Sequence, residues 1–128
     1  MARVLVFERN TRWFPELRRQ LADVRVRIQS VSTSSQVRSE LNGLTSSQTE
    51  AVNVVLIDLE VGAGTVLALV AAYAQRLDVR LAIVGYPEMQ ALEPALRELG
   101  ADSFPVLPVS GQQLAAECLR LTGTDFAM

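Results

Sequence analysis

The chain has 128 residues, 49% hydrophobic and 20% charged, with a formal net charge of -2. This is the size of one domain, too apolar for disorder and too near neutral for bulk attraction to nucleic acid. All 12 basic residues are Arg, and Lys and His are absent. That excludes a Schiff-base or Walker lysine, an imidazole base, a histidine metal ligand and a phosphohistidine.

The elements follow in chain order. Residues 3–7 (Arg-Val-Leu-Val-Phe) form a short apolar run that stops at Glu8-Arg9-Asn10, as a strand buried on both faces does. Only about five apolar residues precede Glu8, too few for a signal-peptide core. A helix is expected over 11–22, with Pro15 in its first turn and Leu17 and Leu21 on one face. Trp13 and Phe14 read as packing residues rather than partner-binding aromatics. Residues 24–28 alternate Val-Arg-Val-Arg-Ile, the pattern of an outer strand with one wet face. Residues 32–35 offer caps for a helix over 36–41, and Asn42-Gly43 stops it. The polar segment 45–49 reads as a surface loop with hydroxyls open to modification.

The strongest strand is 52–57, ending at Asp58-Leu59-Glu60. The loop Gly62-Ala63-Gly64-Thr65 follows, then an apolar helix reaching about residue 77. That loop matches neither a dinucleotide fingerprint nor a P-loop and reads as a plain turn rather than an anion cradle. The apolar stretch 66–74 is about nine residues long, against roughly 18 for a membrane span, so it reads as a buried helix. Residues 79–84 form a fourth strand stopping at Gly85-Tyr86-Pro87. Pro94 and Gly100 frame a short helix. Residues 103–109 make a poor fifth strand, broken by Pro105 and Pro108 and so placed at the sheet edge. Ser110 caps a last helix through 121.

Strands alternating with helices at this length imply an α/β domain over 1–128, one parallel sheet covered on both faces. Ligands of such sheets bind beyond the carboxyl ends of the strands, where Glu8, Arg9, Asp58 and Tyr86 lie. The lone cysteine, Cys118, excludes an internal disulfide and suits a reducing, cytoplasmic setting. It reads as a small buried apolar residue on a helix.

The segments Arg-Val-Leu-Val-Phe-Glu at 3–8, Val-Val-Leu-Ile-Asp-Leu at 54–59 and Leu-Gly-Ala-Asp-Ser-Phe at 99–104, with Pro108 beyond, resemble the receiver domain of two-component response regulators. The resemblance covers nearly the whole chain and implies a flavodoxin-like, five-stranded parallel sheet. It places Asp58 at the phosphoacceptor position, with Glu8 and Glu60 as the acidic pocket. Three positions depart from the family pattern. Arg9 replaces the second acid, a metal ligand in the family. Gly85 replaces the Ser or Thr ending the fourth strand, and Leu107 replaces the lysine before Pro108, often joined to it there by a cis bond. Phe104 matches the aromatic switch position without the hydroxyl it answers to.

A phosphoryl group brings about -2 of charge, met in the family by a divalent metal, a lysine and a hydroxyl. The expected function is therefore a degenerate receiver that signals through protein contacts, without cofactor and without phosphorylation. Arg9, paired with Asp58 or Glu8, is expected to stand in for the metal. One alternative is a working receiver phosphorylated on Asp58, with a weak magnesium site at Glu8, Asp58 and Glu60. Another is a flavodoxin-like domain binding a small ligand. An independent enzyme lacks acid-base groups beyond carboxylates. Expected partners are proteins, a histidine kinase or an output domain, or a second copy in a homodimer. The implied contact face includes Leu92, Leu96, Val106, Leu107, Leu114 and Cys118. Direct nucleic-acid binding and membrane insertion are not expected.

Overall fold

The structure, a computed structural model, describes residues 2–43 and 52–123; the polar segment 45–49 lies outside them. Four six-residue strands form the sheet: β1 (Ala2–Phe7), β2 (Val26–Val31), β3 (Asn53–Asp58) and β4 (Val79–Val84). All pairings are parallel and the order is β2-β1-β3-β4. The helices are α1 (Trp13–Gln20), α2 (Ser34–Asn42), α3 (Ala63–Tyr73), α4 (Glu93–Leu99) and α5 (Gly111–Thr122).

Strand alternation divides the core. Leu5, Phe7, Val55, Ile57, Leu81 and Ile83 face Val37, Leu69 and Leu96 of α2, α3 and α4. Val4, Val6, Val54, Leu56, Ala82 and Val84 face Leu17 of α1 and Leu114 and Cys118 of α5. Burial of each such Leu, Ile or Val contributes roughly 1.5–3 kcal/mol before entropy is charged. β3 is buried at every position, which accounts for its unbroken apolar run. β2 begins two residues later than its alternation suggests and runs on to Val31, leaving Arg25 and Arg27 exposed.

The fifth strand of the sequence reading is an edge segment rather than a strand. It touches β4 through two isolated parallel bridges, Ala82 with Ser103 and Gly85 with Val106. The Ile83 and Gly85 amides donate to the Ser103 and Pro105 carbonyls at 2.9 and 2.8 Å. Pro105 has no N–H to return, so the ladder stops being regular there. The Leu107–Pro108 peptide is cis.

Local signals place the helix ends. Thr33 caps α2 and Ser110 caps α5, each in a capping box with the Gln three residues on. α3 ends at Tyr73, four residues short of the expected end. Gly100 closes α4 at φ 125°, where an added Cβ would lie 2.4 Å from the Ala74 Cβ, so glycine serves both backbone and packing there.

Cys118 is fully buried in α5. Burial first, and the nearby Glu117 charge second, push its thiol from 9.0 to about 12. A raised thiol pKa stabilises the fold fully below the unfolded value and loses that stabilisation as pH climbs toward the folded one. We expect the unfolding free energy to drop by about 1 kcal/mol between pH 9 and 10 for this single proton. Urea midpoints across that interval check it. Cys118→Ala is expected to start less stable and to flatten the drop, and an equal drop in the variant would refute the assignment.

Candidate functional site

The carboxyl ends of β1 and β3 meet at the point where the strand order reverses, because β1 is followed outward by β2 and β3 lies on its other side. β1 delivers Glu8 and β3 delivers Asp58 to this crevice, and the two are only 5% and 2% exposed. A carboxylate so buried needs partners for its oxygens.

Glu8 finds them in the first turn of α1. Its Oε1 accepts the Arg12 and Trp13 amides at 3.0 and 2.9 Å, and its Oε2 accepts the Phe14 amide at 3.0 Å. Three N–H groups with no intrahelical acceptor thereby gain a charged one, at the positive end of the helix dipole. This is why α1 starts at Trp13 rather than at the expected residue 11, and why no residue immediately before it caps it.

Asp58 finds three donors of its own. The Trp13 indole Nε1–H donates to Oδ2 at 2.9 Å, the Tyr86 hydroxyl to Oδ1 at 2.6 Å, and the Glu60 amide to Oδ1 at 3.0 Å. Glu8 thus positions the helix that carries the residue closing over Asp58. Trp13 is 4% exposed, and the Arg12 guanidinium lies 4.4 Å from its ring centroid, covering the indole from outside by a cation–π contact. Burial first, then the bonded and charged Asp58 carboxylate, drive the Tyr86 hydroxyl well above the usual tyrosine range. The phenol therefore remains a donor at neutral pH.

The sequence-predicted residues separate into two groups around this point. Glu8 and Asp58 share the crevice, but each is turned to its own donors. Glu60 is half-buried and accepts from the Asn10 amide and side chain at 3.3 and 3.4 Å. Among the described residues no three acidic, cysteine or histidine side chains converge as a metal-binding group. Both oxygens of Glu8, both of Asp58 and one of Glu60 accept from N–H or O–H donors in this arrangement.

Arg9 pairs with neither Asp58 nor Glu8. Among the described residues it has no ion pair or hydrogen bond, and it points to a different cavity. The neutral indole and phenol occupy the place the sequence reading gave to the guanidinium. The physical reason is burial: donors that carry no charge satisfy a carboxylate without desolvating a second ion.

Gly85 follows β4 directly and sits against Phe104. An added Cβ would fall 2.4 Å from the ring Cε1 and 2.5 Å from Cζ. Phe104 is 4% exposed and belongs to the core. Leu107 is half-buried, with Pro108 exposed beyond it. Of the anticipated contact face, Leu96, Leu114 and Cys118 are wholly buried, whereas Leu92, Val106 and Leu107 are half-buried.

Trp13 and Tyr86 are the residues that sequence reasoning passed over as partners of Asp58. Tyr86 had a signal, since it follows a strand end at the ligand-binding edge. Trp13 had none, because nothing local says which way an indole N–H points.

The described residues contain no helix long and apolar enough to cross a membrane. The sequence matches no family model and no curated protein. The fold matches solved structures along nearly its whole length. The receiver domain of the TMAO respiratory system response regulator TorR superposes with a TM-score of 0.79 at 15% identity, covering 97% of this chain and 98% of that one. A response regulator receiver protein from Burkholderia phymatum gives 0.76 at 12%, covering 100% of both. Full-length FixJ from B. japonicum gives 0.69 at 17%, with 90% of this chain matched to 54% of that one. A parallel sheet in the order β2-β1-β3-β4, an edge segment beyond β4 and a carboxylate ending β3 thus add up to one conclusion: this chain has the fold of a response regulator receiver domain.

Proposed function

We propose that this chain is a receiver-like signalling module that acts through protein contacts and does not depend on phosphorylation of Asp58. The observation that carries the proposal is the closure of Asp58. Both of its oxygens are held, by Trp13 on one side and by Tyr86 and the Glu60 amide on the other. In-line attack on a phosphoryl donor needs an oxygen that is free and a cation to draw the charge. Here the nucleophile is 2% exposed, and the adjoining acid is spent on α1.

The partner is a protein, either an upstream kinase or an output domain. That FixJ carries a matching segment within a longer chain supports such a connection. With no Lys and no His, the chain offers few groups beyond carboxylates for acid-base work, which supports a non-enzymatic role, and the compartment assigned to it is the cytoplasm.

The test is incubation with acetyl phosphate and magnesium, read by intact mass, for wild type and Asp58→Asn. No gain is expected in either. A gain of roughly 80 Da, one phosphoryl group, in wild type alone would overturn the proposal and restore the phosphorylated, magnesium-dependent receiver.

A further inference from the structure

Arg9 leaves the Asp58 crevice for a cavity on the other side of β1. The cavity measures about 260 Å³ and is lined by Phe7, Arg9, Ser32, Ser34, Val61 and Thr65. Three stretches far apart in sequence build it: the end of β1, the approach to α2 with its first residue, and the turn after β3 running into the first turn of α3. Its polar side chains are one guanidinium and three hydroxyls, and no carboxylate stands on its wall.

Among the described residues, Arg9, Ser34 and Thr65 form no side-chain hydrogen bond or ion pair. Ser32 differs, its hydroxyl donating to Gln36 Oε1 at 3.0 Å, with lone pairs left to accept. Three donors without acceptors therefore face one hollow. The volume is several times the roughly 30 Å³ that a water occupies in the liquid. Thr65 lies in the first turn of α3, whose N-cap, Gly62, makes no side-chain cap bond.

We propose that this cavity binds a small phosphomonoester, with its phosphate between the Arg9 guanidinium and the Ser34 and Thr65 hydroxyls. A guanidinium pairs bidentately with a phosphate, and hydroxyls complete the remaining oxygens. A metal cation is unsuited, since the wall offers it a positive charge and no carboxylate. The remaining space, bounded by Phe7 and Val61, takes a short carbon skeleton. Residues 62–65, which read in sequence as a plain turn, thus contribute Thr65 to an anion site. Neither Asp58 nor its donors take part, so this site and the reading of Asp58 stand or fall separately.

The test is a titration of the full chain with glycerol 2-phosphate and, separately, inorganic phosphate, at low salt, followed by amide NMR shifts. Saturable shifts are expected for the amides of residues 32–35 and 62–65, with glycerol 2-phosphate the tighter ligand. Arg9→Gln is expected to weaken binding at least tenfold while leaving the urea midpoint unchanged, Arg9 being exposed. Arg25→Gln, which removes an equal charge from the distant end of the sheet, is expected to bind as wild type does. The proposal is overturned by an absence of saturation, by equal weakening in the two arginine variants, by tighter binding of inorganic phosphate, or by shifts centred on Asp58.

Discussion

Trp13→Phe is expected to lower the unfolding free energy by about 2 kcal/mol, the cost of leaving a buried charged acceptor without one of its donors. Phenylalanine keeps most of the apolar contact that Trp13 makes beneath α1, so packing alone predicts a much smaller loss. What disappears is the 2.9 Å bond from the indole to Asp58 Oδ2, at a carboxylate that is 2% exposed. Urea unfolding measures the loss. Repeating the substitution in an Asp58→Ala background separates the two contributions, since with no carboxylate present the missing N–H is no longer felt. The cost there is expected to fall by at least 1 kcal/mol. Equal costs in the two backgrounds would mean that Trp13 acts by packing only, and the closed Asp58 would lose its main support.

Restoring the hydroxyl that the receiver pattern places at the end of the fourth strand is expected to damage the protein rather than repair it. Gly85→Thr puts a Cβ 2.4 Å from the Phe104 ring, well inside van der Waals contact. Phe104 is buried in the core, and the ring cannot retreat without vacating its own place. Overpacking of this kind costs about 1–3 kcal/mol, and we expect the upper end, because threonine adds two further atoms beyond Cβ. In a Phe104→Ala background the same change is expected to cost less than about 1 kcal/mol, the cavity admitting the new side chain. Thermal or urea unfolding of the four proteins gives the coupling. If Gly85→Thr is as costly without the ring as with it, the clash is not the reason for the glycine. The pair accounts for one departure from the receiver pattern: the hydroxyl is absent where the ring of Phe104 fills its space.

Much of the architecture was legible locally. Apolar runs that stop abruptly at charges marked β1 and β3, alternation pointed to β2, a run ending at Gly85-Tyr86-Pro87 marked β4, and Thr33, Ser110, Pro94 and Gly100 marked helix ends, because caps and positive φ angles are decided by neighbours in sequence. The two prolines correctly demoted the fifth strand to an edge, since a missing N–H is a property of the residue itself. The errors were of extent: α1 began late because its cap comes from Glu8, and the alternation over 24–28 pointed to a strand that actually runs over Val26–Val31.

The sequence by itself thus determined the parallel α/β fold, the two-sided core and the arrival of Glu8 and Asp58 at one rim, because these follow from hydrophobic periodicity and chain connectivity. Only the tertiary structure decided what the rim does with its charges. Trp13 and Asp58 are 45 residues apart and Tyr86 is a further 28 away. Whether a buried carboxylate takes a neutral N–H, a phenol or a guanidinium depends on side-chain direction and desolvation cost, neither of which is written in local sequence. Arg9, the residue whose charge suggested a pair with Asp58, was left facing a separate cavity for that reason.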